Sequence, residues 1–131
     1  LELLKDNMAN KSKYQIWQDK RKRTKYHILK KNMANLPRLV IYRSNSNIYA
    51  QLIDDNNNKT ILSASSIDKN LTKSVEKAEN KIAISKIVGK SLAEKIKEAK
   101  IDKIIFDRNG YKYHGRIKAL AEAVSSSEIT I

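Results

Sequence analysis

The sequence predicts an α/β fold in which three antiparallel strands, a long helix, a further strand and a second helix form a mixed sheet, preceded by a basic N-terminal arm that is partly helical when bound. Three observations predict it. Short β-branched and aromatic runs, set apart by Asn- and Ser-rich turns, follow Pro37; a helical period takes over between Val75 and Lys100; and positive charge crowds the start of the chain. Residues 1 to 43 carry twelve Lys or Arg against Glu2, Asp6 and Asp19, a net +9, whereas residues 44 to 131 carry fifteen against eleven, a net +4. The expected division is an arm over residues 1–36 and a single compact domain over 37–131.

Within the arm, the stretch from Lys20 to Lys31 lacks glycine and proline, so a helix is permitted once bound anions relieve the repulsion among its cations; free, it is expected to be partly disordered. Pro37 ends that helix and pushes Leu36 toward an extended conformation. Leu39-Val40-Ile41-Tyr42 reads as the first strand, Ser44 to Asn47 as a turn, and Ile48 to Ile53 as the antiparallel partner. Asp54 to Asn58 then forms a polar turn into a third strand, Thr60 to Ser65. Between Val75 and Lys100, Ala78, Ile82, Ser85, Gly89, Leu92, Ile96 and Ala99 recur at steps of four and three, which predicts one helix facing the sheet, with Gly89 letting it sit close to the strands. Lys103 to Phe106 is a short buried strand that returns parallel to an earlier one by a right-handed crossover. Arg116 to Val124 forms the second helix on Ile117, Leu120, Ala121 and Val124; Ser125 to Ser127 end it, and Ile129 to Ile131 add a short terminal strand.

At 131 residues the chain supports one modest core. Cysteine is absent, which excludes disulfides, thiolate nucleophiles and Cys-based zinc sites, and His27 and His114 stand too far apart to suggest a metal. No cofactor or small-molecule substrate is implied. A net charge of +13 and a pI near 9.9 predict attraction to polyanions, nucleic acid first. No run approaches the roughly 20 apolar residues that span a bilayer. Leu1 to Leu4 is too short for a secretory signal core, and Leu1, which is not an initiator, is consistent with processing or trimming. The abundance of Lys, Ile and Asn points to AT-rich codons, hence a plastid or a low-GC bacterium, the plastid slightly favoured.

Function is concentrated in the stretch Phe106 to Lys118. It packs Gly110, Gly115, Tyr111, Tyr113 and His114 among Arg108, Lys112, Arg116 and Lys118. Cations offer charge to phosphates, tyrosines offer stacking faces, and glycines allow close backbone approach; RNA uses all three. A catalytic alternative makes Asp107 and His114 the working groups of an RNA-modifying or hydrolytic enzyme. An ion pair with Arg108 or a turn-capping role for Asp107, and a donor role for His114, are simpler, and no nucleophile elbow, P-loop or carboxylate pair completes a site. Gly115 either offers free amides to phosphate at a helix entry or merely eases the turn. In the arm, Tyr14, Trp17, Tyr26 and His27 interleave the cations, which fits a segment lying along folded RNA better than a passive tail. A general polyanion binder is the third reading.

Three motifs carry a family resemblance: Pro37-Arg38-Leu39; Tyr42-Arg43-Ser44-Asn45 followed by Ile48-Tyr49-Ala50-Gln51-Leu52-Ile53-Asp54-Asp55; and Phe106-Asp107-Arg108 followed by Gly110 to Leu120. Their order and spacing resemble bacterial-type large-subunit ribosomal protein eighteen, the 5S-rRNA-binding family, from about Lys20 to the end. The resemblance implies a compact α/β domain with a basic arm, no catalysis, and a place in the central protuberance, where 5S rRNA is joined to large-subunit rRNA beside large-subunit protein five. Matched by position, Arg38, Arg43, Ser44, Asn45, Tyr111, Lys112, Tyr113, His114 and Arg116 are the implied RNA contacts, with Gly115 beside them. Charge adds Arg21, Lys22, Arg23, Lys25, Lys30 and Lys31 from the arm. Asn109 departs from a common family glycine but tolerates a left-handed backbone. Ser125 to Ser127 replace a glycine-bearing close, and residues 1 to about 19 have no clear counterpart.

Overall fold

Strand β1 (Arg38–Arg43) is buried on both faces for most of its length, and the rest of the chain is arranged around it. The structure is a computed structural model describing residues 11–131 except Met33 and Glu128; the readings of Leu1 to Leu4 and of residues 1–10 of the arm lie outside the described residues. β1 pairs antiparallel with β2 (Ile48–Asp54), which pairs antiparallel with β3 (Lys59–Ser65), while β4 (Ile105–Asp107) joins β1 in parallel, giving the order β3-β2-β1-β4. Leu39 stands opposite both Leu52 and Phe106. The mixed sheet and the parallel return are thus as the sequence predicts.

Alternation sorts the strand residues. Leu39, Ile41, Ile48, Ala50, Leu52 and Ala64 point into one core with Val88, Leu92 and Ile96 of helix α3 (Lys81–Glu98) and Ile117, Leu120 and Val124 of α4 (Gly115–Ser125). Arg38, Val40 and Tyr42 face the other way, toward the long helix α1 (Lys13–Lys31). A strand covered on both sides reads as a nearly continuous apolar run, which is why Leu39 to Tyr42 shows no polar alternation.

The single helix predicted between Val75 and Lys100 is two. α2 (Thr72–Lys77) follows a 3₁₀ turn at Lys69–Leu71, Ala78 is extended, and Asn80 caps α3 by accepting from the Ala83 amide at 2.8 Å. Asn is a stronger N-cap than helix-interior residue, so the chain breaks there despite the periodicity. Ala78 consequently precedes α3, Ile82 is exposed and Ala99 is an exposed C-cap; Ser85, Gly89, Leu92 and Ile96 alone of the predicted stripe are buried. Gly89 also serves a different neighbour: a Cβ there would lie 2.7 Å from both Ala123 Cβ and the Leu120 carbonyl oxygen, so it brings α3 against α4, not against the strands. The expected terminal strand shrinks to one parallel bridge, Lys103 to Thr130, while Ile129 drops into the core.

Candidate nucleic-acid interface

α1 contains no buried residue, so tertiary burial of an apolar stripe does not explain it. Its ends do. Ser12 and Gln15 form a reciprocal capping box, Lys30 and Lys31 sit in the last turn where the carbonyl end of the dipole favours cations, and Asn32 closes the helix by bonding both the amide and the carbonyl of Leu36. The helix therefore begins seven residues before the Lys20 boundary read from the sequence. Lys11 bonds Asp19 at 2.7 Å, and that hydrogen bond and charge hold the Asp19 carboxyl below its ordinary range.

The helix is anchored on one side by aromatic and polar contacts. Trp17 stacks on Tyr111 at 5.3 Å and donates from its indole nitrogen to the Asn109 carbonyl at 3.0 Å. The Arg21 guanidinium lies 4.7 Å from the Trp17 ring centre and 5.4 Å from that of Tyr42, and its Nε donates to Asn109 Oδ1 at 2.7 Å. Asn109, only 4% exposed, also donates to the Ile41 carbonyl at 3.0 Å and holds φ at +56°, so the residue substituted for glycine keeps the turn and adds a hub. At Gly110, φ +79°, a Cβ would press within 3.0 Å of the Arg21 backbone nitrogen. That glycine admits the arm; the close approach it permits is internal.

Arg38 departs from its expected role as an RNA contact. It is 5% exposed, donates to Asp107 Oδ2 at 2.6 Å, and grips both oxygens of Asp55 at 3.0 and 3.1 Å. Burial alone would lower its pKa, but the hydrogen bonds to Asp55 and Asp107 outweigh burial and raise it. Asp107, 1% exposed, accepts from the Asn109 amide at 2.8 Å with its second oxygen, so the turn-capping reading holds while the alternative pair with Arg108 is replaced by one with Arg38. The catalytic alternative loses its geometry with that exchange. His114 sits exposed as the N-cap of α4, and among the described residues no hydrogen bond joins it to Asp107.

The other predicted residues meet at one corner. Arg116 reaches from the first turn of α4 to the Ser44 and Asn47 carbonyls at 2.7 and 2.9 Å, binding the loop to the β1–β2 turn that exposes Arg43, Ser44 and Asn45. Burial first, then the charge of Arg43, holds its pKa below the usual guanidinium value. Tyr111 is partly buried: its hydroxyl accepts from the Arg43 amide at 3.3 Å, and the Arg43 guanidinium lies 5.0 Å from its ring centre. Tyr113, 47% exposed and edge-on to Phe106, presents a free face, and Lys112 and His114 flank it in the open. Gly115 adopts φ +55° with open space around its Cβ direction. Lys22, Arg23, Lys25, Lys30 and Lys31 are exposed along α1.

Among the described residues, Arg21, Lys22, Arg23, Lys25, Arg43, Lys112 and Arg116 have no carboxylate within ion-pair distance. Lys20, Thr24, His27 and Arg108, none of them among the RNA contacts named individually from the sequence, line a concave surface with Arg23 and Lys112. The signal was present in the spacing 20, 23, 24, 27, one face of a helix. No helix among the described residues is long and apolar enough to cross a membrane.

A cation-rich helix seated against an aromatic loop, with its charge left unneutralised, defines a basic α/β protein of the polyanion-binding class. The chain belongs to the ribosomal L18 family: the model for ribosomal L18 of archaea, bacteria, mitochondria and chloroplasts matches residues 11–131. The match begins upstream of Lys20, so residues 11 to 19 do have a family counterpart. Large ribosomal subunit protein uL18 of Fusobacterium nucleatum is 53% identical over 94 residues, covering 72% of this chain and 76% of its own. The proteins of that name from Sorangium cellulosum and Petrotoga mobilis are 48% and 49% identical over 105 residues, covering 79% and 77% of this chain and 87% and 85% of theirs. The family is a structural one, not an enzyme family. These relatives are bacterial and give no support to a plastid preference.

Proposed function

We propose that the protein is a structural constituent of the large ribosomal subunit that binds 5S rRNA and helps attach it to the large-subunit rRNA in the central protuberance, beside large-subunit protein five. The observation that carries this reading is the unneutralised charge shared by α1, the β1–β2 turn and the loop before α4, on a chain of the ribosomal L18 family. Residues 1–36 act as the arm and 37–131 as the rRNA-binding domain, with the bacterial relatives favouring a bacterial ribosome. Affinity comes chiefly from phosphate neutralisation, and specificity from RNA shape and from unpaired bases stacking on exposed rings such as Tyr113. Binding to isolated 5S rRNA and to an unrelated folded RNA of similar length, compared at moderate salt, tests the proposal. Equal affinities would sink it.

A further inference from the structure

We infer that the cleft between α1 and the loop preceding α4 is a two-walled seat for the phosphodiester backbone of one RNA strand, which the protein grips from both sides. The inference rests on the RNA-binding reading above and adds a site to it. Lys20, Arg23, Thr24 and His27 form one wall and Arg108 and Lys112 the other, around a volume of about 500 Å³. Four cations converge there, and among the described residues none has an acidic partner within ion-pair distance. Arg108 is available because its neighbour Asp107 is spent on Arg38 and the Asn109 amide.

Like charges facing one another across a cleft repel, and only a multivalent anion repays that repulsion. Gly110 touches the Arg21 backbone, Asn109 bonds Arg21 and Trp17, and Trp17 stacks on Tyr111, so both walls are fixed by contacts just beneath the cleft. A repeating polyanion with one charge per nucleotide suits such a pair of walls, since neighbouring phosphates meet cations from both elements. Thr24 gives its hydroxyl hydrogen to the Lys20 carbonyl, which leaves donation chiefly to the lysines and arginines, with His27 beside them, and makes charge the discriminating property.

The test uses the full chain with Lys20→Ala, Arg108→Ala, the double variant, and Lys97→Ala at an exposed position of α3 as a control outside the cleft. Association with 5S rRNA and with an unrelated folded RNA is measured across potassium chloride concentrations. Each cleft variant is expected to lose roughly 5- to 8-fold in affinity at 0.1 M salt and about 0.7 to 0.9 from the slope of log affinity against log salt, on both RNAs, while Lys97→Ala stays with wild type. A double variant with wild-type affinity and slope overturns the cleft even if 5S rRNA remains preferred. Equal losses in Lys97→Ala also overturn it, because diffuse charge would then account for the effect. If wild type shows no preference for 5S rRNA but the cleft variants lose slope on both RNAs, the cleft stands and the proposed partner falls.

Discussion

Replacing Arg38 with methionine separates a packing role from an RNA-contacting one. The substitution keeps an apolar stem of similar reach but removes the guanidinium that bridges Asp107 and Asp55. Asp107 would then lie 1% exposed with only the Asn109 amide, 2.8 Å away, to oppose its charge, whereas Asp55, with a side chain 22% exposed, can recover water. Removing one partner of a buried ion pair costs about 3–5 kcal/mol. For a chain of this size each kcal/mol is worth roughly 3–5 °C, so the midpoint of thermal unfolding should fall by about 9–25 °C. The double variant Arg38→Met with Asp107→Asn should recover part of that loss, because the stranded charge is gone. Circular dichroism melts provide the readout, with RNA affinity measured well below the lowered midpoint. A melt within about 2 °C of wild type, together with an affinity loss like that of an exposed lysine, would refute the buried-pair reasoning and return Arg38 to the RNA surface.

Tyr113→Ala should cost roughly 1–3 kcal/mol of RNA binding with little change in melting, while Tyr111→Ala should lower the melting temperature because it removes the ring that Trp17 and Arg43 pack against; the reverse pattern would exchange their roles. Gly89→Ala should destabilise by about 1–3 kcal/mol, since neither Ala123 Cβ nor the Leu120 carbonyl is the end of a flexible side chain; an unchanged melt would mean that the helices separate easily. Gly115→Ala should cost only about 1–2 kcal/mol, from backbone strain without a clash, and a larger loss would expose a neighbour the structure does not show. Acid should loosen the start of α1 late: a carboxyl held below its ordinary value contributes stability above the unfolded value near 4 and loses it as pH falls through the lowered one. Amide protection at residues 13 to 19, corrected for the intrinsic exchange rate at each pH, should therefore fall only below about pH 4, and a fall already at pH 6 would contradict the Lys11–Asp19 pairing.

What could be read from the sequence was local. The turns at Ser44 to Asn47 and Asp54 to Asn58 announce themselves by composition, and the strands between them fall within one residue of their observed ends. The β4 assignment slid by two residues at its start because Lys103 and Ile104 run straight into its apolar residues, yet Lys103 bridges Thr130 and the Ile104 amide donates to the Thr130 carbonyl instead of joining β1. Asn80 broke a helix whose period ran unperturbed through it, a contest between capping and periodicity that spacing alone cannot decide. Partners distant in sequence were beyond reach. Asp107 was matched to adjacent Arg108, but parallel pairing of β1 with β4 brings Arg38, 69 positions away, within 2.6 Å. The same holds for the cleft, whose cations were visible one wall at a time.

Trp17, Arg21 and the covered back face of β1 bear on how the chain can be dissected. Cutting at residue 36 would strip the helix that lies over Val40 and Tyr42 and leave Tyr111 without its stacking ring. A shortened chain that binds RNA poorly would have lost charge and shelter at once, so deletion cannot apportion affinity between the two regions. Charge-reversing or charge-removing substitutions on the outward side of α1, at Lys22 or Lys30, keep that shelter in place and are the appropriate scalpel.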